Sequence, residues 1–450
     1  MNKQKITVCY QHFFKKRRMF AIIPFLILSL CFNANAMTIV DEDGLDIQDL
    51  FHSENMRYVI RYDHQFKDTL VIPRNCELLF RGGSLSGPIF FRGTLLSGNV
   101  NLKGSTIKGQ VRNKTFNASW LCAMNGVTDD ANSINEIIKV CKNIFFPKGE
   151  YRLVSSYEKL LPMKFHIGIS DDNISLFGEE GTVFLTKEKL GFICVFSKPN
   201  NIPGSVKNVS IKNIIFKTEN NGLNFLEWTH AIQVVGVNGF RVENCIVEDF
   251  WGDGICLNHY GDTPETGERT RNQNVVILNN KIIGGDSHNN RNGISVINGK
   301  NVLIKGNIIK NTSRRDMPGG IDIEPNNSAY TIEDIRIEDN VLEDIKGSGG
   351  AICLVVFDGG PAHGVTIKGN HIKNSINGIF LYVKTEGTSN DIAIKNNIID
   401  SDTRPLFFVG KGKSRNWTIK GNTFGRSFKQ NIPGDIKVEN LVVENNKKKL

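Results

Sequence analysis

The sequence lacks the cysteine patterns that mark disulfide scaffolds and zinc sites. Nine cysteines occur among 450 residues, but none belongs to a C-x-x-C pair and none lies near a histidine cluster, which argues against a structural zinc. Seven remain after residue 36: Cys76, Cys122, Cys141, Cys194, Cys245, Cys256 and Cys353. This odd, scattered set does not fit a disulfide framework, and a chain of this length buries a sufficient core without crosslinks.

The sequence also has no apolar run that would span a membrane comfortably. The candidate run, Met19 to Phe32, follows Lys15-Lys16-Arg17-Arg18 and precedes Ala34-Asn35-Ala36. A basic stretch, an apolar stretch of about 14 residues and an A-x-A site are typical of a secretory signal peptide. We therefore predict that residues 1–36 are a signal peptide. The mature protein is then expected to be secreted, periplasmic or on a bacterial cell surface, without a membrane span.

Net charge is low outside this leader. Residues 1–36 hold six lysines and arginines and no acid, so the formal charge of +9 falls by six to about +3 for the rest of the chain. This weak basic balance predicts no nucleic-acid partner. No acidic loop shows a recognisable calcium-ligand spacing either. We therefore predict no cofactor and no metal site, and leave calcium open.

Helical periodicity is absent from residues 242–446, where one short phrase repeats instead. The phrase alternates apolar and polar residues and ends in asparagine, as in Val302-Leu303-Ile304-Lys305-Gly306-Asn307. It occurs at residues 275–280, 302–307, 335–340, 365–370, 392–397 and 417–422. The alternation predicts strands, and a repeat of roughly 24 to 33 residues indicates a solenoid.

Each repeat offers a second strand that opens near a Gly-Ile pair, as in Gly254-Ile255 and Gly320-Ile321. Two or three short strands per repeat describe one coil of a parallel β-helix. Because one coil cannot bury its apolar face alone, neighbouring coils stack and share a core. We expect the recurring asparagines to bond to one another from coil to coil, with Cys245 at the same position in one coil.

Residues 37–118 are predicted to form an N-terminal β region with glycine-rich turns, and residues 119–450 the β-helix. Near their junction, capping residues precede apolar residues at helical spacing from Ile134 to Cys141. This pattern predicts a short helix that leads into a strand. Since the open end of a β-helix exposes core and unpaired backbone, we expect this helix to be an N-terminal cap.

The same segment resembles the opening of pectate-lyase-like β-helix proteins. Gly126-Val127-Thr128-Asp129-Asp130 before the helix, and Pro147-Lys148-Gly149-Glu150-Tyr151 after it, are similar to the G-x-T-D-D and P-x-G-x-Y phrases of that superfamily. The resemblance covers roughly residues 118–425. It implies an all-β, right-handed, single-stranded parallel β-helix like those of polygalacturonases, pectate and alginate lyases, epimerases and phage tailspikes. It also implies a polysaccharide that lies along one parallel sheet, although the fold alone does not select a chemistry.

Aligning the coils on their Gly-Ile strands places acidic residues at outward positions in the middle coils. Asp322 and Glu324 lie two apart on one strand, so both are expected to face outward, with backbone positions about 6 to 7 Å apart. Carboxylates this close can be driven to different pKa values, which acid and base roles require. Asp253 lies two coils away on the same side, and Arg291 comes just before the intervening strand. We predict Asp322 and Glu324 as the catalytic pair, assisted by Asp253 and Arg291.

Five further residues are predicted to bind substrate through sugar stacking and hydrogen bonds. They are His230, Trp251, His259, Tyr382 and Lys384. Each lies on or beside one of the aligned strands. As single residues they are weaker candidates than the carboxylate pair.

The catalytic phrases of the known subfamilies are not reproduced. Asn292 and Gly293 stand where polygalacturonases would have a paired aspartate, and Ile323-Glu324-Pro325 is only distantly similar to the D-P-H phrase of alginate epimerases. Three functions therefore stay open. The first is a secreted glycoside hydrolase that cleaves a neutral or acidic polysaccharide, and the second is a lyase or epimerase on uronate polymers, with Arg291 neutralising the carboxylate. The third is a non-catalytic glycan-binding protein; we expect the first.

Overall fold

The computed structural model describes residues 36–39, 47–157, 164–197, 206–219, 226–259, 261–285, 291–357, 359–425 and 435–448. The predicted signal peptide therefore lies outside the described residues, except for its last residue. From Ala36 onward the chain forms one compact unit. No helix among the described residues is long and apolar enough to cross a membrane.

Short strands make up most of the unit. The strands before the first coil are β1 (Ala36–Ile39), β2 (Arg57–Ile60), β3 (Asp63–Gln65), β4 (Leu70–Val71), β5 (Glu77–Phe80), β6 (Ser84–Ser86), β7 (Pro88–Gly98), β8 (Thr106–Val111) and β9 (Phe116–Asn117). They are followed by β10 (Asn125–Asp129), β11 (Asn143–Phe146), β12 (Gly149–Arg152), β13 (Phe165–Ile169), β14 (Ser175–Gly178), β15 (Thr182–Thr186), β16 (Gly191–Phe196), β17 (Val206–Lys212), β18 (Ile215–Thr218), β19 (Ile232–Val235), β20 (Val237–Glu243) and β21 (Ile246–Glu248).

The middle coils contain β22 (Ile255–Leu257), β23 (Asn272–Leu278), β24 (Lys281–Ile283), β25 (Ile294–Val296), β26 (Gly299–Lys305), β27 (Ile308–Lys310), β28 (Gly319–Ile323), β29 (Ile332–Glu338), β30 (Val341–Glu343) and β31 (Gly350–Val356). The last coils contain β32 (Pro361–Lys368), β33 (His371–Val383), β34 (Thr388–Asn390), β35 (Ala393–Lys395), β36 (Ile398–Gly410), β37 (Lys413–Lys420), β38 (Thr423–Phe424), β39 (Val438–Glu444) and β40 (Lys447–Lys448). Three short helices interrupt them: α1 (Ile47–Leu50), α2 (Ala131–Val140) and α3 (Pro264–Arg269).

The strands from β9 onward stack into three parallel ladders, one for each side of the coil. The first ladder follows the Asn-ended phrases and runs β9, β11, β14, β17, β20, β23, β26, β29, β32, β35, β37, β39. The second runs β12, β15, β18, β21, β24, β27, β30, β33, β36, β38, β40. The third holds the Gly-Ile strands and runs β13, β16, β19, β22, β25, β28, β31, β33, β36. Every pairing is parallel between adjacent coils, which confirms the predicted parallel β-helix.

A ladder of buried asparagines ties the coils together. Its members are Asn280, Asn307, Asn340, Asn370, Asn397, Asn422 and Asn446, and each of the first six donates from Nδ2 to Oδ1 of the next at 2.9–3.0 Å. The same Oδ1 also accepts the backbone N–H of the preceding asparagine, for example Asn307 N–H to Asn340 Oδ1 at 2.9 Å. Cys245 N–H donates to Asn280 Oδ1 at 2.9 Å. The predicted asparagine stack and the position of Cys245 are both confirmed.

The residue before each ladder asparagine adopts a left-handed backbone conformation. Asn279 has φ 54°, Gly306 65°, Asp339 53° and Gly369 68°. This region favours glycine, asparagine and aspartate over other residues. The repeated Asn-Asn, Gly-Asn and Asp-Asn dipeptides are therefore a backbone requirement of the turn.

Helix α2 forms where the sequence predicts it and lies between two groups of strands. It contacts β8 on one side and β11 and β13 on the other, so it covers the first coils and is itself covered by the N-terminal strands. The two aspartates before it bind nearby backbone: Asp130 accepts from Ala123 N–H at 2.6 Å and Asp129 from Val154 N–H at 2.9 Å. The N-terminal strands form their own parallel sheets, and their core is continuous with that of the coils.

Candidate active site

The outward residues of the third ladder are aligned as the sequence predicts. The paired positions are Gln233, Cys256, Ser295, Asp322, Cys353 and Phe380. The isoleucine before each of them in the chain, such as Ile321, lies in the central core, so these side chains point to the opposite face of the sheet. That face is covered by loops: Cys256, for example, packs against Ile297 and Tyr330.

Asp322 is a fully buried carboxyl that pairs with Glu324. Its Oδ2 accepts from Asn292 Nδ2 at 3.1 Å, and the half-buried Glu324 lies close enough for the two carboxyls to influence each other's pKa. Burial raises the pKa of Asp322 well above its ordinary value, and the charge of Glu324 raises it further. Burial also raises the pKa of Glu324, while the charge of Arg291 opposes that rise. Of the two carboxyls, Asp322 is therefore the one whose protonated form is more strongly favoured.

Asp253 and Arg291 form a second, charged pair one and two coils earlier. Arg291 Nε lies 3.7 Å from Asp253 Oδ1, and His230 Nδ1 lies 3.2 Å from Asp253 Oδ2. Burial would raise the pKa of Asp253, but Arg291 and His230 outweigh that effect and lower it. Asp253 also raises the pKa of Arg291 against the opposing effect of burial. This pair is therefore ionised, in contrast to Asp322.

Asn292 joins the two pairs. Its backbone N–H donates to Asp253 Oδ1 at 3.1 Å, and its Nδ2 donates to Asp322 Oδ2 and to Ser295 Oγ, each at 3.1 Å. Gly319 N–H donates to Asn292 Oδ1 at 3.3 Å. Sequence reasoning treated Asn292 only as a missing acid, whereas the structure makes it the link between the charged pair and the protonated carboxyl.

The structure thus brings the four predicted catalytic residues together, with one correction. Asp322 lies on the outward face of its strand, as expected, but that face is covered and leaves the side chain no exposed surface. Glu324 is the more accessible carboxyl of the pair. Strand periodicity tells which face of the sheet a side chain lies on, and the loops that cover that face decide its exposure.

Among the predicted substrate-binding residues, His230 contacts Asp253 directly. Trp251 is 6% exposed and its indole donates to the Glu188 carbonyl at 3.1 Å, so the sugar-stacking role expected for it does not fit its position. The ring of His259 lies against Tyr330, with centroids 4.2 Å apart.

Tyr382 and Lys384 lie further along the ladder, around one aromatic side chain. The ring centroid of Tyr382 is 5.9 Å from that of Phe357, and Lys384 Nζ lies 5.9 Å above the same ring. Tyr382 pairs with Val355 on strand β31, and β31 lies one coil beyond Glu324. Tyr382 therefore lies two coils beyond the acids. Neither residue converges on Arg291.

A turn just before β19 supplies two residues that sequence reasoning missed. Glu227 Oε1 lies 3.8 Å from Arg291 Nη2, and its charge raises the pKa of Glu324. The adjacent Trp228 is 58% exposed. The position of Glu227 in the sequence could have indicated it as a site residue, because it lies a few residues before a third-ladder strand, as Arg291 does.

His230, Asp253 and Cys256 place donor atoms within 4.8 Å of one another, the spacing of a metal site. Arg291 already balances the charge of Asp253. Burial and the neighbouring Asp253 raise the pKa of the Cys256 thiol well above its ordinary value, so it is protonated at neutral pH. The thiol would have to release its proton to bind a metal, and the charge of Arg291 already accounts for the ionised state of Asp253.

Comparison with known proteins identifies the fold. Residues 204–424, a little under half of the chain, match the family model described as right handed beta helix region, in agreement with the right-handed parallel β-helix fold of the structure. No curated protein sequence matches.

Three solved structures are similar to it. The family 28 exopolygalacturonase of Yersinia enterocolitica has 13% identity and a TM-score of 0.44, with 75% of this chain and 78% of that chain covered. PfbA, a surface adhesin of Streptococcus pneumoniae, has 15% identity and a TM-score of 0.46, covering 74% and 88%. Tailspike protein gp49 of Acinetobacter baumannii bacteriophage Fri1, a capsular polysaccharide depolymerase, has 13% and 0.47, covering 74% and 58%. At these identities the similarities concern the fold and assign no activity.

Proposed function

We propose that this protein is a secreted carbohydrate-active enzyme that hydrolyses glycosidic bonds in a polysaccharide. The observation that carries the proposal is a fully buried carboxyl, Asp322, beside the more accessible Glu324 and next to the charged pair Asp253 and Arg291, an arrangement that raises the pKa of both carboxyls. Buried carboxyls whose protonation states are held apart by their surroundings are typical of acid–base catalysis.

The burial of the two carboxyls divides their roles. Glu324 meets the substrate because it is the accessible member, and Asp322 holds the proton that Glu324 passes to the glycosidic oxygen. As the bond between the anomeric carbon and that oxygen breaks, water adds to the carbon and its proton returns to the carboxyl pair. Asn292 links Asp322 to Asp253 through hydrogen bonds, and the charge of Asp253 favours a raised pKa in both carboxyls against the opposing charge of Arg291.

Lyase or epimerase chemistry has less support from the site. Arg291 would have to neutralise a uronate carboxylate, but Asp253 and Glu227 already lie 3.7 and 3.8 Å from its guanidinium. A lyase would also need a base beside Arg291, and the two side chains expected for that role, Tyr382 and Lys384, lie around Phe357.

The test is to incubate the protein with neutral and acidic polysaccharides and to measure reducing ends together with unsaturated uronate. Hydrolysis produces reducing ends without the unsaturated product, a lyase produces both, and a binding protein produces neither. We expect Glu324→Gln and Asp322→Asn to lose at least a hundredfold in rate, the usual range for acid–base groups. Asp402→Asn, which changes an exposed carboxyl on β36, is the matched control. Full activity in both site variants would contradict the proposal.

A further inference from the structure

Trp228 is a large apolar side chain held mostly in solvent. It is 58% exposed, whereas Trp251 and Trp417 are 6% and 1% exposed and Trp120 is half-buried. Leaving an indole in water forgoes the hydrophobic free energy that its burial would supply. An exposed indole that is also fixed in position is therefore suited to bind a ligand.

The turn that carries Trp228 is anchored on both sides. Thr229 N–H donates to the Leu226 carbonyl at 3.2 Å, and Gly252 N–H donates to the Thr229 carbonyl at 2.8 Å. A side chain at Gly252 would approach that carbonyl oxygen to 2.8 Å, so the close contact requires glycine. Buried Trp251 holds the neighbouring segment through its indole bond to Glu188. The turn is thus a firm support for Trp228.

The anchored turn also borders the acidic cluster. Glu227, adjacent to Trp228, lies 3.8 Å from Arg291 and acts electrostatically on Glu324. Glu324 is the carboxyl that the proposed reaction uses. A ligand lying on the indole would therefore lie next to Glu227, the turn residue that contacts Arg291 of the cluster.

The charge of the acidic cluster restricts which ligands can bind beside Trp228. Four acids face one arginine and one histidine: Glu227, Asp253, Asp322 and Glu324 against Arg291 and His230. Even with a proton on Asp322, the acids outnumber these two bases. A carboxylate or sulfate on the ligand would be repelled, while sugar hydroxyls can donate hydrogen bonds to the two carboxylates that are not fully buried, Glu227 and Glu324.

We infer that Trp228 is a stacking platform for an uncharged sugar ring of the substrate. The C–H face of the ring packs on the indole, and its hydroxyls donate to the acids next to the turn. This inference rests on the proposed function, since it names the sugar that the same site accepts. In this proposal Trp228 takes the stacking role that the sequence analysis assigned to Trp251. The bound sugar is uncharged, whereas the sequence analysis left both neutral and acidic sugars open.

The experiment follows tryptophan fluorescence in the full chain carrying Glu324→Gln, which prevents turnover. The probes are neutral gluco-, galacto-, manno- and xylo-oligosaccharides and, for comparison, oligogalacturonate, with acrylamide as the uncharged quencher. We expect a neutral oligosaccharide to shield the emission from acrylamide, and oligogalacturonate to bind at least tenfold more weakly. Trp228→Ala should abolish the shielding and weaken calorimetric binding about tenfold. Tyr62→Ala, which removes another exposed aromatic (53%) from the N-terminal region, should leave both unchanged.

The outcomes separate this inference from the proposed function. If an oligosaccharide binds by calorimetry and is cleaved by the unmodified protein, but Trp228→Ala binds it equally well, the inference is overturned and hydrolysis stands. Preferred binding of oligogalacturonate would also overturn it. If neutral sugars shield Trp228 but no glycan is cleaved, the inference holds and the hydrolase proposal fails. Absence of any binding across the panel overturns both.

Discussion

Asp322 is a carboxylic acid with no exposed surface, held between an amide and a second carboxyl. Asn292 donates to Oδ2, and burial raises the pKa of the acid because the surroundings make its charged form costly. The chemistry of the site therefore depends on the dielectric environment of the Asp322 side chain. An alignment of the coils does not contain that property.

We expect the stability of the protein to depend on pH through Asp322. Its folded pKa lies above the unfolded one, so the folded state binds the proton more tightly and this contribution is present at low pH. It is lost as pH rises through the folded pKa. Asp322→Asn, which mimics the protonated acid, should therefore gain stability relative to the unmodified chain between pH 4 and pH 8. Urea denaturation across this range measures the difference, with Asp402→Asn as control; a constant difference would contradict the prediction.

Removing Arg291, the partner of Asp253, should lower the free energy of unfolding far more than removing both members of the pair. Arg291→Met leaves a buried carboxylate uncompensated, and loss of one partner of a buried ion pair destabilises by about 3–5 kcal/mol. The double variant Asp253→Asn/Arg291→Met should recover a large part of that loss. Chemical denaturation of the two single variants and the double variant measures the coupling, and additive effects would show that the pair does not interact.

At the scale of elements, the asparagine ladder stabilises the coils through side chains that bond at every step. Asn340 donates to Ile304 and to Asn370 and accepts from Asn307, all at 2.9–3.0 Å. Asn446, at the end, is only partly buried and has one ladder neighbour. Truncating an inner member leaves buried groups unsatisfied, at a cost of about 1–3 kcal/mol for each.

We therefore predict that Asn340→Ala lowers the free energy of unfolding by at least 2 kcal/mol, on the order of two unsatisfied groups, and that Asn446→Ala has a smaller effect. Urea denaturation followed by far-ultraviolet circular dichroism makes the comparison. Equal losses would mean that the ladder does not depend on its inner bonds.

Much of the element structure could be predicted because it repeats. Alternation gave the strands, the Asn-ended phrase gave the register, and helical spacing gave α2. The site was predicted less completely. Alignment found Asp322 and Glu324, but it could not show that loops bury Asp322, or that Trp251 turns inward while Trp228 turns outward. The exposure of these side chains depends on irregular segments between the strands. The sequence has no repeating pattern there from which exposure could be predicted.

At the scale of the molecule, the central core runs without interruption from Phe51 to Phe424, and the last coil is less protected. Leu441, Val442 and Val443 are 45–49% exposed. Strand β39 pairs with β37, and no strand covers its other side among the described residues. Inner strands such as β29 are paired on both sides.

Amide hydrogen exchange should therefore be faster in β39 than in β29. Segments with unpaired edges and exposed apolar side chains open at a lower free energy than inner strands. Mass spectrometry of peptic peptides from the exchanged protein measures both strands in one experiment. Equal protection of β29 and β39 would contradict the prediction.

Four coils, from β19 to β28, supply the acidic cluster. Their position in the stack determines which structural changes would abolish the proposed activity. In a solenoid each coil contacts only its neighbours, and these four lie well before the last coil. A molecule whose final coils have come apart can therefore retain a complete site, whereas a break between β19 and β28 removes it. The rate of the proposed hydrolysis would then report on the integrity of this one stretch of the stack, and its decline on heating need not coincide with the loss of strand content elsewhere.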